Sequence, residues 1–219
     1  VDELITASRI IPAIFVALFP LVNPIGTALV LYGMTGHIDR KTWTAASRKI
    51  ATNVFLLLTS FLLFGGAILK FFGVSIPIVQ LAGGLVVASI GWGLLNQKDV
   101  ELSANDQPKV TTTSLEGKLF YPYTFPTTVG PGSLAVTMTF GAHVERGSQL
   151  LVLLQIGAAI VGILITAVLT GICYARLKWV TERISPGAVQ AMSRILAFFL
   201  LCIGVGIAWE GWSALNSLD

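Results

Sequence analysis

Asn23, Pro24, Gly26 and Thr27 stand together inside one apolar run, "RIIPAIFVALFPLVNPIGTALVLYG", and none of them favours a continuous helix. Proline costs roughly 3 kcal/mol in a helix interior and glycine about 1 kcal/mol. A second cluster of the same kind, Thr127, Gly130, Pro131, Gly132 and Ser133, interrupts a later apolar run. What these residues offer is backbone rather than a base or nucleophile. Proline lacks an N–H and, by clashing with the carbonyl four residues back, frees that acceptor; Pro24 would free the carbonyl of Pro20, and Pro131 that of Thr127. Thr27 and Ser133 are types that cap helix N-termini well, so a new half-helix is expected to start at each. Its unpaired N–H groups and positive dipole end favour an anion. Freed carbonyls beside such a start suit a small zwitterion, with the carboxylate on the N–H groups and the ammonium on the carbonyls and the Asn23 amide.

The elements that must position these residues are membrane helices. Of 219 residues 54% are hydrophobic and 11% charged, against about 25% charged in soluble domains, and the mean hydropathy is +0.81. Six runs reach the roughly 20 residues that cross a bilayer core: Ile10–Tyr32, Ile50–Phe72, Ser75–Asn96, Pro122–Ala142, Leu150–Tyr174 and Ala188–Trp212. The first is too long for a signal-peptide core and is read as a retained span. Helix rises about 1.5 Å per residue, so both breaks fall near mid-membrane. Non-helical backbone survives at that depth only when buried in protein or lining a wet cavity.

The net charge of +3 does not point to nucleic acid, because the basic residues sit in short loops beside the spans. Ten Lys and Arg fall in the first, third and fifth loops and three on the other side. A Lys/Arg excess marks the cytoplasmic face, so both termini are expected outside. Trp43, Trp92, Trp179, Trp209 and Trp212 fall at or near span ends, where amphipathic rings prefer the interface. Cys173 and Cys202 lie within spans and read as small packing residues. The chain has no phosphate-cradling lysine loop, metal-ligand cluster or Ser/His/Asp set. Neither an enzyme nor a bound metal or cofactor is expected.

Sliding the chain by 106 residues lays "FPLVNPIGTALVLYGMTGHIDR" (Phe19 to Arg40) over "FPTTVGPGSLAVTMTFGAHVER" (Phe125 to Arg146) without a gap, with six of 22 pairs identical. The two histidines of the chain, His37 and His143, coincide in "HIDR" and "HVER". Each half would hold three spans, an odd number, so the second copy enters the membrane from the opposite side. That inverted arrangement underlies many secondary transporters. The expected fold is an all-α polytopic membrane protein of six transmembrane helices, built as two inverted three-helix repeats with broken first helices. Residues 1–110 hold the first repeat with a polar linker, and 111–219 the second. One break alone would read as a packing kink; two at matching positions favour a binding site.

Other polar residues in the spans have plainer readings. Arg194 is close enough to a span end to snorkel, with a site or gating role as the alternative, and Gln80 is a further gating or accessory candidate. Glu210 is read as interfacial, Asn53 and Gln155 as interhelical hydrogen-bonding residues, and the histidines as loop structure. No ionisable residue lies near a span centre, so a carboxylate proton relay is not visible. Coupling to Na⁺ through backbone carbonyls, to H⁺ by another route, or to neither all stay open, as does the oligomeric state.

With "LFPLVNPIGT", "FGVSIPIVQLAGGLVVASIG", "FPTTVGPGSLA" and "AMSRILAFFLLCIGVGI", the chain resembles the MarC family of bacterial and archaeal inner-membrane proteins over nearly its whole length. The resemblance implies a six-span protein of the cytoplasmic membrane, with Asn23, Pro24, Gly26, Gly130, Pro131 and Gly132 as hallmark positions. Some relatives are described as transporters of small neutral amino acids. Two positions depart from the family pattern. Val129 stands where Ala is common, narrowing the second break, and Gln80 stands where Arg is common, leaving Arg194 without a counterpart in the other half. Three functions follow as expectations: transport of a small zwitterion such as glycine, alanine or serine by alternating access, a non-transporting envelope scaffold or regulator, or export of a hydrophobic drug.

Overall fold

The computed structural model describes residues 2–35, 39–96, 115–142, 148–176 and 186–216; His37, His143 and Trp179 lie outside them. The described residues are helical, with no strand among them. In chain order the helices are α1 (Asp2–Val22), α2 (Pro24–Thr35), α3 (Arg40–Phe71) and α4 (Ile76–Leu95). A wide-turn segment, π1 (Leu119–Thr128), follows, and then α5 (Pro131–Ala142), α6 (Gln149–Ala175) and α7 (Pro186–Asn216).

Five stretches are long and apolar enough to cross a membrane: Ser8–Ala28 across the first break, Arg40–Phe71, Ile76–Gly93, Gln149–Ala175 and Ala197–Asn216. The run expected as a fourth span, Pro122–Ala142, instead forms π1 and the short helix α5. The reason is local. A residue before proline is pushed out of the α region, and Tyr121 and Phe125, before Pro122 and Pro126, are extended (φ −119°, ψ 123° and φ −119°, ψ 129°). Both X-Pro bonds are cis. The ladder re-forms at wider spacing: Tyr123 N–H donates to the Lys118 carbonyl and Val129 N–H to that of Thr124, each five residues back. The Thr124 and Thr128 hydroxyls donate in the same pattern, each 2.7 Å from the carbonyl oxygen of Leu119 or Tyr123. In the first apolar run Pro12 and Pro20 both stay within α1.

α3 begins about ten residues earlier than the apolar run, because Asp39 and the basic stretch after it form a capped N-terminal extension. The Asp39 carboxylate accepts from Thr42 N–H at 3.0 Å. α6 is capped likewise, with Ser148 Oγ accepting from Leu151 N–H at 3.1 Å.

The buried core joins α1, α3, π1, α5 and α6. It includes Ile14, Leu18, Ile50, Val54, Leu58, Tyr123, Ile163 and Tyr174. Asn53 Nδ2 donates to Thr124 Oγ1 across α3 and π1 at 3.3 Å, an interhelical bond of the expected kind, and Gln155 is buried. α4 and α7 form a close antiparallel pair on glycine. A Cβ on Gly84 would meet the Gly204 carbonyl oxygen at 2.6 Å, and one on Gly91 the Ala197 carbonyl oxygen at 2.9 Å. A Cβ on Gly211 would meet the Pro77 carbonyl oxygen at 2.6 Å. Small residues let helix backbones approach closely where lipid gives no hydrophobic drive to pack. The outward faces carry large apolar side chains, among them Phe71 (84% exposed), Phe64, Ile90, Phe198 and Trp209. Apolar exposure on that scale marks a surface made for contact with lipid rather than water.

Candidate substrate site at the paired helix breaks

The first break is a single residue wide. Asn23 takes a left-handed conformation (φ 43°), which asparagine tolerates better than other non-glycine residues. It closes α1 through its N–H, 2.9 Å from the Phe19 carbonyl oxygen. It also caps α2, with Oδ1 accepting from Gly26 N–H at 3.2 Å. Pro24 is the first residue of α2, where its missing N–H costs nothing and its fixed φ suits the helix. Residue 26 must be glycine for the cap to sit there: a Cβ would run into the Asn23 side-chain amide.

The second break is wider and has no side-chain cap. Val129 is extended (φ −111°, ψ 96°) and fully buried. Gly130 precedes Pro131, the first residue of α5, and its carbonyl accepts from Leu134 N–H at 3.3 Å. Gly132 is pressed against α4, where a Cβ would collide with Val87 and lie 3.5 Å from Leu21 of α1. Ser133 is 1% exposed, and its hydroxyl has no hydrogen-bond partner. Its carbonyl accepts from the Thr137 hydroxyl at 2.7 Å.

Both half-helices therefore start at proline, three and two residues before the expected Thr27 and Ser133. Proline is well suited to the first helical position, and the residue ahead of it supplies the break. Thr27 and Ser133 lie in the first turns. Thr27 Oγ1 donates back to the Asn23 carbonyl at 2.9 Å, with the Val22 carbonyl oxygen at 3.3 Å.

Tyr174, near the end of α6, joins the two breaks. Its hydroxyl donates to Thr27 Oγ1 at 2.7 Å and lies 2.8 Å from Thr128 Oγ1. Tyr174 is 0% exposed, and its own carbonyl accepts from Trp43 Nε1 at 2.7 Å. Three hydroxyl protons serve four short contacts, since Thr27 and Thr128 each also face a carbonyl. The Thr128 proton must therefore choose between the Tyr123 carbonyl and Tyr174, which leaves the junction one proton short of full pairing.

The breaks thus come together through Thr27, Tyr174 and Thr128, and through Leu21 against Gly132. Thr127 is half-buried, while its neighbour Thr128 is buried and makes the contact. Gln80 and Arg194 are not brought to the junction. Gln80 is buried beside Gly211, whereas Arg194 is exposed on the stretch of α7 preceding Ala197, which packs on Gly91. They occupy opposite ends of the α4–α7 pair, 17 residues or about 25 Å apart along α7 at 1.5 Å per residue.

Sequence reasoning did not single out Tyr174, Thr128 or Val87. Tyr174 closes an apolar run, and only packing reveals that it points inward. Trp43, near a span end, also ties α3 to α6 through its indole N–H. The residues at the breaks are uncharged, so the junction works through neutral dipoles: helix starts, carbonyls, hydroxyls and one amide. Among the described residues no three His, Cys, Asp or Glu come together as metal ligands would.

Comparison with known proteins agrees with a membrane protein. The inner membrane protein MarC of Salmonella typhimurium is 27% identical over 204 residues, covering 90% of each chain. The protein of the same name from Escherichia coli O139:H28 is 28% identical with the same coverage. No solved structure matches. The model of the MarC family of integral membrane proteins matches residues 8–215, a range that takes in both breaks and all or most of each α-helix, and the chain belongs to that family.

Proposed function

We propose that this protein is a secondary transporter of small neutral amino acids, of the size of glycine, alanine or serine, working by alternating access around the paired breaks in a cytoplasmic membrane. The observation that carries the reading is the junction itself: two interrupted helices from opposite halves of the chain, held on one buried tyrosine. Transporters place substrate where discontinuous helices meet at mid-membrane. A site of uncharged dipoles with small residues suits a small zwitterion better than a large hydrophobic drug.

In this reading the chain is two inverted three-helix repeats, with π1 and α5 together acting as the fourth of six spans. Helix packing supports it. "IGWG" at Ile90–Gly93 and "IGVG" at Ile203–Gly206 are related by a shift of 113 residues. Under that shift the packing of Gly91 on Ala197 and Leu201 becomes the packing of Gly204 on Gly84 and Ala88. Such self-symmetry is what a two-fold axis between α4 and α7 produces. The relatives' naming as inner membrane proteins supports the location.

The test is amino-acid flux in proteoliposomes holding the full chain. Asn23→Ala and Gly132→Leu should each reduce alanine flux at least tenfold; unchanged flux in both sinks the site assignment. The competing scaffold reading draws on the direct contact of Gly132 with Val87, which leaves the second break tightly packed. It would be favoured if no small neutral amino acid raised the melting temperature of the detergent-purified protein and none was transported.

A further inference from the structure

The two breaks differ in which polar groups are already in use. At the first, the Asn23 amide oxygen takes the Gly26 N–H, and the Thr27 hydroxyl is engaged by Tyr174 and by the Asn23 carbonyl. The second has no equivalent closure. Gly130, ahead of α5, has no side chain to cap with. In a helix whose first bond runs from Leu134 N–H to Gly130 O, the N–H groups of Gly132 and Ser133 have no intrahelical acceptor. On the same turn the Ser133 hydroxyl is buried without a partner. A native structure rarely leaves such a group unpaired without a role for it.

We propose that the substrate carboxylate is taken by the second break alone, on the first turn of α5, by the Gly132 and Ser133 N–H groups and the Ser133 hydroxyl. The first break, closed on itself, serves as the wall that carries the ammonium end. This rests on the amino-acid reading and adds to it a direction for the substrate. Val87 and Leu21 cover Gly132, so the subsite is shut by α4 and α1 in this conformation. Access requires α4 to move away from α5. α4 packs closely along its length on α7, so the α4–α7 pair is the unit that would move.

The test uses the full chain purified in detergent, with binding read from the melting temperature across a ligand titration. The ligands are alanine, alaninamide, which lacks the carboxylate, and sodium acetate, which lacks the ammonium. The variants are Ser133→Ala and, as a control for loss of another buried unpaired hydroxyl, Thr59→Val. Removing an unpaired hydroxyl does not lower stability, so Ser133→Ala should melt at or above the wild-type temperature. The expected result is that alanine stabilises wild type and Thr59→Val, alaninamide stabilises neither, and Ser133→Ala needs at least tenfold more alanine for the same shift. If Ser133→Ala responds to alanine like wild type, or alaninamide matches alanine, the carboxylate assignment is overturned while the transporter reading stands. If no amino acid stabilises or crosses with wild type but acetate gives a Ser133-dependent shift, the subsite stands and the amino-acid reading falls. If neither alanine nor acetate shifts wild type, both fall.

Discussion

The Tyr174 hydroxyl donates to Thr27 Oγ1 at 2.7 Å across 147 residues of sequence, and so fixes the first helix break to the far end of α6. The same oxygen lies 2.8 Å from Thr128 Oγ1 at the end of π1. One side chain thereby sets the separation of two backbone interruptions that are about a hundred residues apart in the chain.

Tyr174→Phe keeps the ring and removes this junction. Thr27 and Thr128 retain carbonyl partners, so the loss should stay near that of one or two neutral hydrogen bonds, about 1–2 kcal/mol. Unfolding in detergent measures it. A double-mutant cycle with Thr27→Val should show a coupling of at least about 0.5 kcal/mol; strict additivity would mean that the two hydroxyls do not interact.

Gly132→Ala puts a methyl into Val87. Overpacking of this kind costs about 1–3 kcal/mol. Val87→Ala in the same chain should recover part of the loss, although Val87→Ala alone destabilises. Failure of that rescue in the melting temperature would show that α4 does not rest on the second break.

Asn23 combines a left-handed backbone with a cap, and two substitutions separate these roles. Asn23→Gly keeps the backbone conformation and should cost only a few tenths of a kcal/mol, as cap replacements by glycine do. Asn23→Ala loses the cap and adds left-handed strain of roughly 1–2 kcal/mol. A melting temperature for Asn23→Ala as high as that of Asn23→Gly would contradict the positive φ.

Gly204 and Gly206 are two residues apart on α7 with opposite surroundings. A Cβ at Gly204 would meet Ala88 and lie 2.8 Å from the Gly84 carbonyl oxygen, while one at Gly206 meets nothing within 4 Å. Gly204→Ala should therefore force α4 and α7 apart and lower the melting temperature. Gly206→Ala should leave it unchanged or raise it, by up to about 1 kcal/mol of helix propensity.

Asp39 caps α3 outside the spans, and hydrogen bonds from the Thr42 side chain and backbone hold its carboxyl below the ordinary aspartate range. A lowered folded-state pKa means that the stabilisation is present above the unfolded value, about 3.9, and is lost as pH falls through the folded value. The group is fully exposed, so the effect is small. Asp39→Asn keeps a capping side chain and should flatten the melting-temperature loss between about pH 5 and pH 3. An acid profile identical to wild type would show that the Asp39 cap adds nothing to the pH dependence of stability.

The sequence by itself determined that the chain is helical, that it belongs in a bilayer and where its helices are interrupted. Composition and apolar run length are local properties, and proline and glycine act on their own backbone. α4 (Ile76–Leu95) and α6 (Gln149–Ala175) lie within a residue or two of the runs Ser75–Asn96 and Leu150–Tyr174, and Asn23 and Gly130 sit at the breaks. The shift of 106 residues likewise sets Asn23 over Val129. Local chemistry also separates the identical Phe-Pro steps at Phe19 and Phe125, one inside α1 and the other extended in π1, because only the second has another proline four residues before it and hydroxyls placed to re-form a wider ladder. Tertiary structure decided which hydroxyls meet. Tyr174, Thr27 and Thr128 are brought within hydrogen-bond distance by the packing of α6 against α2 and π1, and neither residue type nor spacing encodes a contact across 147 residues.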